Sequence, residues 1–135
     1  MKVVIDANII ISAILGSKVT NEIIVSEKYE LYAPRMIFSE IVRHREEISD
    51  KSGINEAEFY ETLSALAVFI KLVDYINYQG YIEKAKEAIG RRDIKDSDYI
   101  ACALEIDADF IWSNDKDFSV QNDVEVKNTS EVMRL

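Results

Sequence analysis

Four carboxylates stand at points of the chain where a catalytic site could form. Asp6 directly follows an apolar run, and Asp115 lies just beyond another, while Glu40 and Asp96 lie near the beginnings of segments with helical period. Residues that follow parallel strands share one edge of the sheet, where ligands bind. Two carboxylates about 4 Å apart repel each other by about 4 kcal/mol at an effective dielectric constant near 20. A cluster of these acids must therefore take up protons or bind a cation.

The ligand chemistry determines which cation such a cluster would hold. Carboxylates without histidine or cysteine favour Mg²⁺ or Mn²⁺. Zinc is disfavoured, because the chain has one histidine, His44, and one cysteine, Cys102. A pair of carboxylate-held ions of this kind activates water and stabilises the leaving oxygen in phosphodiester hydrolysis. The acidic residues therefore predict metal-dependent hydrolysis of a phosphodiester.

Each acid also has a purely structural interpretation, because a chain with 25 acidic residues places some of them at strand ends by chance. Asp96 alone could be a helix N-cap, and Glu40 could be a solvated helix residue. Asp115 and Asp117 could form turns. Asp6 is the hardest to explain in this way, since a charge against a buried strand is costly to desolvate unless something binds it.

The charge balance restricts any nucleic-acid role. The chain carries 16 basic and 25 acidic residues, for a formal net charge of −9. An even distribution of that charge would repel nucleic acid. RNA binding would therefore depend on bound cations or on basic residues beside the acids, although solvated helix ends explain the same residues equally well. The basic residues predicted to contact phosphates are Arg43, Arg91, Arg92, Lys95 and Lys116.

The composition is that of a globular chain from a reducing compartment. The 135 residues are 48% hydrophobic and 30% charged, which predicts one domain over residues 1–135. The lone Cys102 favours a cytoplasmic location. The first apolar run is interrupted by Asp6 and Asn8 and lacks a basic flank, so neither a signal peptide nor a membrane span is predicted.

Short β-branched runs alternate with longer segments of helical period, which predicts an α/β fold around a mostly parallel sheet. Asn55 and Glu58 have the spacing of a capping box, and Gly90 suits the end of a helix. The predicted strands are Lys2–Ile5, Glu30–Ala33, Ile70–Val73, Phe110–Trp112 and Val124–Lys127. Four predicted helices have definite bounds: Ile9–Leu15, Asn21–Glu27, Tyr81–Ile89 and Ser97–Ile106. Three further helices are predicted: one that contains Ile37, Ile41 and Ile48, one that runs from Asn55 into the third strand, and a short one capped by Thr129.

The acidic residues fall within four short motifs that occur in a characteristic order. In this order and spacing they resemble the motifs of the PIN-domain ribonucleases, and the likeness is strongest to prokaryotic toxin components of the VapC type. The resemblance implies a three-layer α/β/α fold with a parallel sheet of about five strands. It also implies Mg²⁺- or Mn²⁺-dependent cleavage of RNA. The motifs are Val-Val-Ile-Asp6-Ala-Asn8, Ser39-Glu40-Ile41, Arg92-Asp93-Ile94-Lys95-Asp96 and Ser113-Asn114-Asp115-Lys116-Asp117-Phe118.

The resemblance also implies roles for individual residues. Asn8 and Ser113 would orient the acids through hydrogen bonds. Asp117 would lie beside the metal ligands, and it competes with Asp115 for the fourth acidic position because family members vary in the spacing of this motif. The catalytic and metal-binding acids would be Asp6, Glu40, Asp96 and Asp115.

A toxin of this type would be held inactive by an antitoxin protein, and the amphipathic segment from Asn55 to Ile70 could form an antitoxin or homodimer surface. Two other functions are compatible with the residues. A PIN fold without catalysis could serve as a binding module. A phosphatase of the haloacid-dehalogenase type could use Asp6 as its nucleophile, but that chemistry needs a second carboxylate two residues later, where this chain has Asn8.

Overall fold

The structure, a computed structural model, describes residues 1–90 and 94–135, with side chains for 1–90 and 96–135. Its strands are β1 (Lys2–Ile5), β2 (Glu30–Pro34), β3 (Ile70–Val73), β4 (Phe110–Trp112) and β5 (Val126–Lys127). These five strands form a parallel sheet in the order β3-β2-β1-β4-β5. The predicted α/β fold with a parallel sheet of about five strands is confirmed.

Helices fill the connections between the strands and flank the sheet. Between β1 and β2 lie α1 (Ala7–Ile14) and α2 (Lys18–Val25). Between β2 and β3 lie α3 (Ile37–Arg43), α4 (Arg45–Ser52) and α5 (Glu56–Ala67). Between β3 and β4 lie α6 (Tyr75–Tyr78), a 3₁₀ turn (Gln79–Tyr81), α7 (Ile82–Ile89) and α8 (Ile94–Ile106). A second 3₁₀ turn (Lys116–Val120) precedes β5, and α9 (Thr129–Met133) follows it.

The central position of β1 follows from its apolar residues. Val3 lies opposite Leu31 of β2 and Phe110 of β4. Val3, Val4 and Ile5 are fully buried, as expected for a strand that is covered on both faces. The chain passes from β1 to β2 on one side, while β4 pairs with β1 on the other. The carboxyl ends of β1 and β4 therefore form a switch point of the kind at which open α/β sheets bind ligands.

The apolar stripe of α5 belongs to the core. Asn55 and Glu58 form the predicted capping box, which begins the helix. Phe59, Leu63 and Leu66 are all buried within the chain. This stripe is therefore not the antitoxin or homodimer surface that its amphipathic pattern also allowed.

The segment after β2 departs from the predicted single helix. The structure has two helices, α3 and α4, with a break at His44 (φ −95°, ψ 9°). Ile37, Ile41 and Ile48 are nonetheless all buried, as their spacing indicates. Hydrophobic spacing identifies the buried face of a helical segment, but it does not reveal a local break in the backbone.

The predicted elements also differ from the structure elsewhere. The helices α1, α2 and α8 begin two or three residues earlier than predicted. The sequence does not predict the short helix α6, because its four residues leave no periodic apolar pattern. Its Tyr75 and Ile76 are exposed. The edge strand β5 begins at Val126, two residues later than predicted. Asn128, and not Thr129, caps α9 in a second capping box.

Within the described parts of the chain, no single helix has the length and hydropathy to span a membrane. The pair α1 and α2 meets both criteria only when taken together, and the two helices are bent by 114°.

Candidate active site

Asp6 is held in a buried position at the carboxyl end of the central strand. Its backbone N–H donates to the carbonyl of Trp112 over 3.1 Å, and its extended backbone leads directly into α1. The residue is 4% exposed. The hydroxyl of Ser113 donates to Oδ2 of Asp6 over 2.7 Å. Because adjacent parallel strands end side by side, the residue that follows β4 lies next to the residue that follows β1.

The same serine connects Asp6 to the loop after β4. Ser113 Oγ accepts a hydrogen bond from the backbone N–H of Asp115 over 3.0 Å. Asp115 Oδ1 in turn accepts from the backbone N–H of Asp117 over 2.9 Å and caps the second 3₁₀ turn. Asp115 is therefore a turn former, as its local sequence suggested, and its carboxylate is also positioned relative to Asp6. Ser113 thus contacts both Asp6 and Asp115, and the orienting role that the resemblance implies for it stays a prediction.

The environment of Asp6 raises the pKa of its carboxyl group from 3.8 to about 6. Burial is the main cause. The negative charges of Glu40 and Asp115 raise the pKa further, while the hydrogen bonds from Ser113 and from the backbone of Asn8 oppose the increase. Two of the predicted acids are therefore close enough to Asp6 to disfavour its ionisation.

A second group of acids consists of Asp96, in the first turn of α8, and two acids of the loop after β4. Carboxylate oxygens of Asp96, Asp115 and Asp117 all lie within 4.8 Å of one another. Asp96 is 6% exposed, and the two loop acids are half-buried. The structure thus places both candidates for the fourth acidic position beside Asp96. Asp115 belongs to both groups, because its charge also acts on Asp6.

Glu40 is held in place by a tyrosine of α8 that the sequence motifs did not include in the site. The hydroxyl of Tyr99 donates to Oε2 of Glu40 over 2.9 Å. Tyr99 is fully buried. Burial and the charges of Glu40 and Asp6 raise the pKa of Tyr99 well above its usual value, so the hydroxyl remains a donor. Tyr99 lies one helical turn after Asp96, and this spacing was the signal in the sequence that both face the same way.

The remaining predicted residues lie at the margin of this cluster. The side chain of Asn8 is exposed on α1, so its backbone N–H is the part that acts on Asp6. Arg43 is exposed one turn after Glu40, and Lys116 is exposed directly after Asp115. The RNA contacts of Arg43 and Lys116, and an orienting role for the Asn8 side chain, stay predictions. Outside the described residues lie Arg91 and Arg92, together with the side chain of Lys95.

The donor chemistry fits a hard divalent cation. All ligand atoms in the cluster of Asp96, Asp115 and Asp117 are carboxylate oxygens. His44, the only histidine, lies 3.4 Å from Glu47 in a surface pair. Oxygen ligands without nitrogen or sulfur favour Mg²⁺ or Mn²⁺ over zinc. A cation would also offset the negative charges that raise the pKa of the neighbouring Asp6.

Comparisons with known proteins identify the family of the chain. A search of curated proteins found no match. Among solved structures, the fold is similar to a chain in the crystal structure of VapBC2 from Rickettsia felis bound to a DNA fragment from their promoter. The TM-score is 0.70 at 12% sequence identity, and the match covers 95% of this chain and 98% of that chain. The PIN domain family matches residues 4–134. Because this match spans nearly the whole sequence, the chain belongs to the PIN-domain family.

Proposed function

We propose that this protein is a Mg²⁺- or Mn²⁺-dependent endoribonuclease that hydrolyses RNA phosphodiester bonds and acts as the toxin of a toxin–antitoxin pair. One observation carries the proposal: acids from four separate segments converge at the switch point of the sheet. Membership of the PIN-domain family supports it, because proteins of this family are usually nucleases. The converging acids are Asp6 after β1, Glu40 on α3, Asp96 on α8 and Asp115 with Asp117 after β4.

The arrangement of these acids supports a metal-dependent hydrolysis. Asp96, Asp115 and Asp117 would hold the divalent cation, with Asp6 and Glu40 beside them. When bound, such a cation supplies activation of water and stabilisation of the leaving oxygen. Neutral hydroxyl groups orient two of the acids, because a neutral donor fixes a carboxylate without cancelling its charge. Ser113 does so for Asp6, and Tyr99 for Glu40.

RNA binding in this proposal is local, because the chain as a whole is acidic. The net charge of −9 repels a polyanion at long range. Arg43 and Lys116 are exposed beside Glu40 and Asp115, where they would contact phosphates that flank the scissile bond. The bound cation would supply the rest of the positive charge. Affinity for RNA is therefore expected to decrease when the divalent cation is removed.

The toxin assignment is supported by the structural similarity to VapBC2. We propose that a small antitoxin protein binds this chain and blocks its acidic cluster, and that the pair acts in the cytoplasm. Expression of the chain alone in a bacterial host should then arrest growth, and co-expression of a neighbouring antitoxin gene should restore growth. Unimpaired growth with strong expression of an active nuclease would contradict the toxin role.

The nuclease proposal is tested by metal-dependent cleavage. The purified protein should cleave RNA with Mg²⁺ or Mn²⁺ and stop when excess EDTA is added. Asp96→Asn should lower the rate by more than about 100-fold, because it removes a ligand and second-sphere changes alone cost about 10- to 100-fold at metal sites. Asp6→Asn should lower it by about 10- to 100-fold, since Asp6 lies beside the ligands. Asp50→Asn, an exposed change on α4, is the matched control and should retain activity. Cleavage that persists unchanged in EDTA would contradict the proposal.

A further inference from the structure

A groove of about 450 Å³ opens beside the acidic cluster. It lies between the loop after β4 and the segment formed by β5 and the start of α9. Ser113 and Asp115 contribute to its lining, so it is continuous with the candidate active site. Its volume is within the range of about 300 to 1,000 Å³ that is usual for small-ligand sites. We call it the carboxamide groove, after the side chains of Asn114 and Asn128 that line it.

The two asparagines have amide orientations that the backbone determines. Asn114 Oδ1 accepts a hydrogen bond from the backbone N–H of Thr129, and Asn128 Oδ1 accepts one from that of Glu131, both over 2.9 Å. A backbone N–H can only donate, so each amide oxygen must face it. Each Nδ2 group, with its two N–H donors, is thereby left for a ligand in the groove. Both asparagines therefore present donors to the groove.

The charged groups of the groove add to this donor character. Lys116 lines the groove and is exposed. The two glutamates in its lining have local partners. Glu125 pairs with Lys127 over 2.9 Å, and Glu131 accepts a hydrogen bond from the backbone N–H of Asn128 over 3.1 Å. Asp115, the third acid in the lining, belongs to the acidic cluster. Lys116 and the amide N–H groups are the donors that the groove offers to phosphate and carbonyl oxygens.

We propose that the carboxamide groove binds an unpaired nucleotide next to the scissile phosphate of single-stranded RNA. Lys116 contacts the flanking phosphate, and the amide nitrogens of Asn114 and Asn128 donate to carbonyl oxygens of the base. A base with carbonyl groups, such as uracil, offers these acceptors when its pairing edge is free. This inference rests on the proposed function, because the groove gains its role from the acids that it adjoins.

Asn128→Asp tests the groove with little change to the fold. The substitution keeps an oxygen that can cap α9, but it replaces the amide nitrogen with a carboxylate oxygen. Asn55→Asp is the matched control, since Asn55 forms the same type of capping box and lies outside the groove. The probe is a short fluorescent oligouridylate, and its Kd is measured by anisotropy at low salt in EDTA. Asn128→Asp should raise the Kd about tenfold or more, and Asn55→Asp less than about twofold.

A second pair of variants tests the cation. Lys116→Gln should also weaken binding of the oligouridylate, whereas Lys18→Gln on α2 removes the same charge far from the groove and should not. Thermal unfolding of all four variants checks that each is folded.

The outcomes separate the groove from the nuclease proposal. Equal Kd values for Asn128→Asp and Asn55→Asp overturn the groove, as does a wild-type protein that binds the oligouridylate neither in EDTA nor with Mg²⁺. In either case, RNA cleavage by the wild-type protein with Mg²⁺ leaves the nuclease proposal standing. A wild-type protein that neither binds nor cleaves RNA overturns both.

Discussion

The acids of the candidate site come from two kinds of structural environment. Asp6 and Glu40 are held by partners distant in the sequence, since Ser113 is 107 residues from Asp6 and Tyr99 is 59 residues from Glu40. Asp115 is held by a hydrogen bond to the backbone of a residue two positions away. One side of the site therefore requires the assembled sheet. The other side is a local turn, and the sheet determines where this turn lies relative to Asp6.

This difference has an electrostatic consequence. Asp6 is desolvated and lies near the charges of Glu40 and Asp115, and its pKa rises to about 6. The loop acids, Asp115 and Asp117, are half-buried and keep contact with solvent. Burial and neighbouring charges thus disfavour ionisation of Asp6, whereas the two loop acids remain partly solvated. The predictions below test this contrast.

The largest effect is expected at Asp6. Its folded-state pKa of about 6 lies above the ordinary value of 3.8, so the ionised carboxylate is less favourable in the folded protein than in the unfolded chain. The resulting destabilisation is absent below pH 3.8, grows as the pH rises to about 6 and is complete above it. It amounts to about 3 kcal/mol. In EDTA, Asp6→Asn should therefore stabilise the protein by about 3 kcal/mol at pH 7.5 and by little at pH 3.5 in urea titrations.

The control for this prediction is Asp50→Asn, which changes an exposed carboxylate on α4. It should alter the free energy of unfolding by less than about 0.5 kcal/mol at either pH. A lower stability of Asp6→Asn than of the wild-type protein at pH 7.5 would show that burial of the Asp6 carboxylate does not destabilise the folded protein.

A smaller effect should separate the two loop acids. Asp115→Asn keeps an oxygen for the hydrogen bond to the N–H of Asp117, but it removes the charge that acts on Asp6. Calorimetry with Mn²⁺ should show an affinity about 100-fold lower for Asp115→Asn, because loss of a ligand costs at least as much as a second-sphere change, and a smaller loss for Asp117→Asn. The reverse order would assign the fourth acidic position to Asp117.

The smallest effect concerns the tyrosine behind Glu40. Tyr99 and Tyr78 each donate a hydrogen bond to a carboxylate, Tyr99 to Glu40 over 2.9 Å and Tyr78 to Asp98 over 2.6 Å. Tyr99→Phe and Tyr78→Phe should each cost about 1 kcal/mol of stability. Only Tyr99→Phe should also lower the Mn²⁺ affinity, by about tenfold. Equal Mn²⁺ affinities in the two variants would limit Tyr99 to a structural role.

Much of the fold was readable from local patterns. β1 and β4 have the predicted bounds, because short apolar runs flanked by polar residues are typical of buried parallel strands. The capping box at Asn55 was equally predictable, since it depends on two side chains three residues apart. The break at His44 and the short helix α6 were not, because neither leaves a periodic apolar pattern.

The candidate site was predictable only in part. The acids could be named because each follows a strand or begins a helix, and such positions share an edge in any parallel sheet. The choice between Asp115 and Asp117 could not be made, because both belong to one turn and both reach Asp96. Tyr99 was not among the predicted site residues, since a buried aromatic residue on a helix gives no sign that its hydroxyl meets a distant carboxylate.

The amino-acid order alone determined the layered α/β architecture and a set of acids that favours binding of a cation, because hydrophobic period and residue chemistry are properties of short segments. Only the tertiary structure decided how those acids are held: Ser113 against Asp6, Tyr99 against Glu40, and the oxygens of Asp96, Asp115 and Asp117 within reach of one another. The reason is physical. Burial and hydrogen bonding between distant segments arise only when strands and helices pack, and they change the pKa of a carboxyl group in ways that its neighbours in sequence do not reveal.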